Sequence, residues 1–233
     1  MMNNSKAKHG SVGIVLALII TVSILGVLFA YFNGRGVQSE QSEIIASGYQ
    51  QFLDGDLNEA YQSLSQAREM FGNAINFYRV FAGDEDYFSE NDLNELLLSI
   101  ALAAAHDDFF ELKTSDQWVA RANEAFELLS ESEEKELLRF FVNNVNTISE
   151  ICELFERGEH EEALRVFFEV EPELVASDED FLVFQVRFFI AASKEFGEPA
   201  LLSEARRQLF FATHEVGIVN DRLNQLWVML TSQ

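Results

Sequence analysis

The sequence contains very little cysteine, proline or glycine. Its 233 residues include one cysteine, two prolines and 12 glycines. The single cysteine, Cys152, cannot form an intramolecular disulfide, so oxidation does not stabilise the fold. Alternating strand-like runs bounded by Asn-Gly or Pro-Gly turns are absent, whereas the helix formers Leu, Ala, Glu, Gln and Arg are abundant. These features predict an all-α protein.

Basic residues are also scarce. The sequence has 16 Lys and Arg but 39 Asp and Glu, which gives a net charge of −23 at pH 7. All 39 acidic residues follow residue 36, together with 13 basic ones, which gives that part a net charge of −26. So acidic a surface repels phosphates, which excludes nucleic acid as a partner and disfavours docking on anionic lipid. The charge promotes solubility, or alternatively it complements a cationic partner.

Patterns that carry chemistry are missing. Glycine-rich phosphate loops and the G-x-S-x-G motif are absent. His106, His160 and His214 are far apart in the sequence, so no zinc-ligand pattern exists. Cys152 falls on an apolar helical stripe, which predicts a buried, unreactive thiol rather than a nucleophile.

Residues 54–58 match the start of a calcium-binding loop. However, Glu59 occupies the position that requires glycine, and Ser65 occupies that of the bidentate glutamate. Carboxylate pairs are too common in this acidic chain to mark a site. The sequence therefore predicts no catalytic residue, no metal site and no cofactor, and hence a protein that is not an enzyme.

One long apolar run lies near the amino terminus. The 21 residues from Val12 to Phe32 contain no charge and, as a helix, span the roughly 30 Å of a bilayer core. The run is too long for a cleaved signal peptide and ends in bulky residues. We predict a cytoplasmic segment (1–11), a transmembrane anchor (12–32), a polar tether (33–42) and a helical domain (43–233).

The charges that flank this run predict its orientation. Lys6 and Lys8 precede it, whereas Arg35 follows it and is itself soon followed by Glu40 and Glu43. Positive residues stay on the cytoplasmic side, so the amino terminus is predicted to be cytoplasmic and the helical domain extracytoplasmic. In a Gram-negative cell that compartment is the periplasm.

A short turn sequence occurs twice. Gly55–Ala60 and Gly158–Ala163 start 103 residues apart, close to three periods of about 34 residues. Each copy lies between two runs of helical apolar periodicity, which predicts the tight turn of a helical hairpin. Asp56 and Glu59 are further predicted to form a capping box.

The residues around these turns resemble the tetratricopeptide repeat family. In the first copy Gly48, Gly55, Ala60, Leu64 and Ala67 fall at the family's offsets, and in the second Gly158, Ala163 and Phe167 do. Ile151 and Val170 stand where the family has small residues. The resemblance is clear around residues 44–70 and 147–175, and it implies a solenoid-like stack of hairpins.

The resemblance also implies a protein-binding groove lined by the first helix of each repeat. By offset, the groove residues of the first repeat are Ser42, Ile45, Tyr49 and Phe52. Those of the later repeat are Cys152, Phe155 and Glu156. The Lys and Asn residues that hold a peptide carboxylate in some family members are missing. Recognition would then use apolar and acidic contacts, which suit a basic or amphipathic segment.

The predicted function is that of a membrane-anchored, noncatalytic scaffold or adaptor, an accessory subunit of an envelope complex. Two alternatives remain open. One is a receptor or enzyme whose site is assembled from scattered residues. The other is a self-associating homo-oligomer that spaces other components.

Several local expectations complete the prediction. The helix of Leu93 to Ala104 is expected to be interrupted at residues 107–108. The stretch after Glu133 is expected to form either one long helix or, the favoured interpretation, two helices that break near residues 143–144. Ser115, with Asp116, is expected to cap the helix that contains Trp118. Residues 178–196 are apolar around most of their circumference, which predicts a central buried helix. Five Phe-Phe pairs are interpreted as core residues or, alternatively, as the lining of an aromatic groove.

Overall fold

All regular structure in the described part of the chain is helical, which confirms the all-α prediction. The computed structural model describes residues 6–82, 88–169, 179–215 and 221–231. Three predictions fall outside these ranges: the repeat position at Val170, an acidic loop at residues 84–86, and the end of a helix at Pro172. The helices are α1 (Lys6–Asp54), α2 (Leu57–Glu69), α3 (Asn73–Ala82), α4 (Glu90–Phe110), α5 (Asp116–Glu127), α6 (Glu133–Glu156), α7 (His160–Glu169), α8 (Glu179–Phe196), α9 (Pro199–Phe210), followed by a π-helical turn (Phe211–Glu215), and α10 (Asp221–Thr231).

The chain forms two compact units, Met1–Leu93 and Asn94–Gln233. Residues of the predicted helical domain, 43–233, occur in both. In the first unit α1 packs against α2 and α3. In the second unit α5 packs on α6, α6 on α7, and α8 on α7, α9 and α10. Helix α8 is buried around nearly its whole circumference, which confirms the predicted central helix.

We also expect the first helix of the helical domain to span Ile44 to Leu53, but α1 continues through the predicted tether (33–42), so that helix start is wrong. Gly34, Gln38, Gln41, Ile45 and Gly48 are buried at spacings of four and three, which places them on one face of the helix. Two of their amide groups have partners on the neighbouring helices. The Nε2 of Gln41 donates to the Ala67 carbonyl at 2.8 Å, and the Oε1 of Gln38 accepts from Arg79 at 2.9 Å. The polar residues therefore join α1 to α2 and α3.

Across the ranges that the structure covers, we find no helix with both the length and the apolarity needed to cross a membrane.

Both copies of the repeated turn adopt the same backbone geometry. Gly55 and Gly158 have φ values of +84° and +76°, in the left-handed region that favours glycine. In each copy the glycine N–H bonds three residues back and the following N–H bonds five residues back, which is a Schellman motif. The bonds are Gly55 to Phe52 (3.1 Å), Asp56 to Gln51 (2.9 Å), Gly158 to Phe155 (3.0 Å) and Glu159 to Leu154 (2.9 Å). The predicted hairpin turns are thus confirmed.

The capping predictions at Asp56 and Ser115 are wrong, because neither side chain accepts a bond from its helix. The φ and ψ of Asp56 are −82° and 65°, outside the extended region of a capping residue. The hydroxyl of Ser115 instead donates to Asp108 at 2.7 Å. A side-chain cap forms at Ser132, whose hydroxyl accepts the Lys135 N–H at 3.0 Å.

Both predicted helix interruptions are wrong as well. Helix α4 continues to Phe110; within it, Asp108 accepts a hydrogen bond from Ser115 and Asp107 pairs with Arg222 of α10. Helix α6 runs unbroken from Glu133 to Glu156. Near its middle, Asn146 exchanges amide hydrogen bonds with Asn123 of α5 at 3.0 and 3.2 Å. Asn146 therefore faces a neighbouring helix, and α6 does not end near residues 143–144.

Candidate functional site

The predicted groove residues of the first unit differ in accessibility. Ile45 is 6% exposed and belongs to the core, whereas Tyr49 is 47% exposed and Phe52 is half-buried. Tyr49 and Phe52 are one turn apart on α1, and Ser42 is exposed nearer the start of the same hairpin helix. A partner can therefore reach Tyr49 and the edge of Phe52, but not Ile45.

The predicted groove residues of the second unit already contact other parts of that unit. The ring of half-buried Phe155 lies 4.5 Å from that of His160 and 5.7 Å from that of Phe188. The carboxylate of Glu156 accepts from the N–H and the hydroxyl of Thr114, both at 3.3 Å. Since the two sets of groove residues belong to different compact units, each forms a candidate surface of its own.

Cys152 is fully buried, as its apolar stripe predicts. Burial raises the pKa of its thiol to about 12, and the carboxylates of Glu156 and Asp108 act in the same direction. The thiol is therefore protonated at neutral pH, which makes it a poor nucleophile.

The Phe-Phe pairs divide between core and surface. Phe109 and Phe110 are buried, as are Phe188 and Phe189. The 167–168 pair is split, because Phe167 is 4% exposed and Phe168 is 63% exposed. Both members of the 210–211 pair are exposed, and the ring of Phe210 stacks on that of His214 at 4.1 Å. Core packing therefore accounts for some of these rings, while others remain accessible.

The sequence did not reveal a cleft between α8 and α10. Its volume is about 340 Å³, and its lining consists of Arg187, Ile190, Ala191, Lys194, Glu195 and Met229. The first four recur at i, i+3, i+4 and i+7, which places them on one face of α8. The spacing of these four residues is visible in the sequence. It does not stand out there, because apolar residues occur on all sides of α8.

No group of three His, Cys, Asp or Glu side chains in the described ranges is arranged to hold a metal ion. The Nδ1 of His160, for example, lies 3.9 Å from the carboxylate of Glu195, and its ring contacts those of Phe155 and Phe196.

Comparison with protein-family models, with curated proteins and with solved structures found no match to this chain.

Proposed function

We propose that this chain is a noncatalytic scaffold or adaptor of tetratricopeptide-like helical hairpins, which binds another protein through the accessible side of its first hairpin helix. The observation that carries the proposal is the repeated turn: two separate hairpins use the same left-handed glycine and the same two hydrogen bonds. Proteins that stack such hairpins use the extended concave surface of the stack for binding.

Small residues at the helix contacts support the same proposal. Ala60 and Ala163, each five residues after its turn glycine, are completely buried. A Cβ atom added to Gly48 would lie 2.8 Å from Cγ of Leu64, so α1 and α2 are in close contact at that point. Close approach through glycine and alanine is what the resemblance to the tetratricopeptide family implies.

The surface charge defines the kind of partner we propose. Two acidic residues, Glu43 and Asp54, are exposed on α1, as are Tyr49 and Leu53. A surface that offers apolar and acidic contacts complements a basic or amphipathic segment. The proposed partner is therefore a protein with such a segment, as part of an envelope complex.

The proposal includes a membrane anchor at residues 12–32, which rests on the uncharged sequence of that run. In the described portion of the run, large apolar side chains such as Val22, Leu25 and Phe29 are exposed. Contact with lipid would remove such side chains from water. With the amino terminus in the cytoplasm, the helical units would lie outside the cytoplasmic membrane.

Affinity purification from detergent-solubilised membranes tests the proposal. We expect the full chain to require detergent for extraction and to retain one protein at a constant ratio, identified by mass spectrometry. Tyr49→Ala should reduce its recovery at least fivefold, because aromatic side chains at interfaces commonly contribute more than 1 kcal/mol. Ser47→Ala is the matched control, since residue 47 is exposed on the same helix about 200° away from residue 49.

Three results would count against this proposal. Extraction of the protein by salt alone would contradict the membrane anchor. Unchanged recovery of the partner protein with Tyr49→Ala would contradict the binding surface on α1. A particle that contains only copies of this chain would favour the self-associating spacer instead.

A further inference from the structure

The cleft between α8 and α10 has a charge opposite to that of the chain. The protein carries −23, yet two of the three charged residues in the cleft are the cations Arg187 and Lys194. The third, Glu195, has its carboxylate 3.9 Å from Nδ1 of His160. A concave site lined mainly by one sign of charge concentrates ligands of the other sign.

Several cations of this unit already have a carboxylate partner. Arg139, Arg157, Arg165 and Arg207 each lie within 3.2 Å of a glutamate oxygen, and Lys135 lies 2.8 Å from one. By contrast, no ion pair joins Arg187 or Lys194 to any residue in the described ranges. Their positive charges remain available to an anion that enters the cleft.

Arg187 is held in place by the main chain of α4. Its Nε donates to the Phe110 carbonyl at 3.1 Å, and the two Nη groups, which carry the other N–H donors, remain for a ligand. Burial lowers the pKa of Arg187, with the carboxylate of Glu111 acting in the opposite direction. A guanidinium stays charged under these conditions, and partial burial reduces the screening of its charge by water.

The rest of the lining is apolar. Ile190 is buried, and Ala191 and Met229 are half-buried. A methionine side chain adapts its shape to a ligand more easily than a branched one does. With a volume of about 340 Å³, the cleft lies at the lower end of the range of small-molecule sites.

We propose that this cleft binds a carboxylate attached to a short aliphatic group, with Arg187 and Lys194 facing the carboxylate and Ile190 and Met229 contacting the aliphatic part. The carboxylate belongs either to a free short-chain acid or to a glutamate side chain of a partner protein. This site is independent of the proposed groove on α1.

Methionine methyl NMR on the full chain in detergent tests the proposal. The sequence has four methionines, at positions 1, 2, 70 and 229, so the Met229 signal is assigned by Met229→Leu. Two probes are titrated: hexanoate, and an acetylated, amidated Ala-Leu-Glu-Leu-Ala peptide. Their controls are hexanamide and the same peptide with Gln in place of Glu.

We expect a saturable shift of the Met229 methyl signal with one or both carboxylate probes, and none with the uncharged controls. Hexanoate alone would identify the free acid as the ligand, and the peptide alone would identify a protein side chain. Lys194→Gln should weaken binding about two- to fivefold, since water screens the charge of this exposed lysine. Lys113→Gln, an exposed lysine of the same unit outside the cleft, should have no effect.

Absence of a Met229 shift with both carboxylates at 20-fold excess over a ~1 mM dissociation constant would overturn the proposal. An equal shift with hexanamide would also overturn the proposal, because it would show that Arg187 and Lys194 do not contribute to binding. An unchanged affinity of Lys194→Gln for the carboxylate probes would contradict the role of Lys194 as a counter-ion. Failure to find a partner at Tyr49 would leave the Met229 shift unaffected, so the two proposals fail separately.

Discussion

Replacing Phe167 by alanine is expected to lower the free energy of unfolding of the second unit by about 3–5 kcal/mol. The ring of Phe167 lies 4.9 Å from that of Phe188 and 5.0 Å from that of Phe189, with Phe181 and Phe184 at 6.3 and 6.4 Å. Its removal leaves a cavity in the centre of the core around α8. The rings that line this cavity lose dispersion contacts as well as apolar burial.

Hydrogen exchange of the α8 amides measures this effect, because it reports on opening of one part of a chain that has two compact units. Phe168→Ala is the matched control: the ring of Phe168 is 63% exposed, and its loss should cost less than about 1 kcal/mol. Similar losses in both variants would contradict the division of this pair between core and surface.

A second large effect is expected for Gly48→Leu in the first unit. A Cβ atom at residue 48 would lie 2.8 Å from Cγ of Leu64 and 3.2 Å from Cβ of Ser63. Overpacking should lower the free energy of unfolding by about 3 kcal/mol. Replacing a helical glycine should raise it by ~1 kcal/mol, so the net loss is about 2 kcal/mol. The loss arises because α1 and α2 must move apart.

Exchange protection of the α2 amides reports this loss. The same substitution at Gly36 is the control, because a Cβ atom there has no neighbour within 4 Å. Gly36→Leu should leave the unit unchanged or stabilise it by about 0.5–1 kcal/mol. If Gly48→Leu were as stable as Gly36→Leu, the close contact between the hairpin helices would be disproved.

Features set by neighbouring residues could be predicted from the sequence. The turns at Gly55 and Gly158 need only a left-handed glycine between two amphipathic runs, and both form. The burial of α8 follows from apolar residues on all its sides, and the burial of Cys152 follows from its stripe. Each of these predictions depends on local pattern alone.

Features set by distant residues could not be predicted. The sequence predicts a helix break near residues 143–144, but α6 is continuous there, and the nearby Asn146 bonds to Asn123, which lies 23 residues away on another helix. Asp107 remains helical beside Arg222, which is 115 residues further along the chain. The α8–α10 cleft depends in the same way on the bond from Arg187 to the Phe110 carbonyl, which is 77 residues distant.

The predicted binding residues show the same division. Offset in a repeat identified Ile45 and Tyr49 alike, yet only the packing of α1 against α2 and α3 decides that the first is buried and the second exposed. Similarly, the position of Glu156 in the repeat does not predict that its carboxylate accepts hydrogen bonds from Thr114. Exposure of a single side chain depends on contacts that a repeat pattern does not contain.

Photocrosslinking in intact cells tests the central proposal most directly. A photoreactive amino acid at residue 49, in the full chain, should give one discrete adduct with a single protein that carries a basic or amphipathic segment. The same amino acid at residue 47, on the far side of α1, should give none. No adduct at residue 49, or the same adducts at both positions, would contradict the scaffold that we propose.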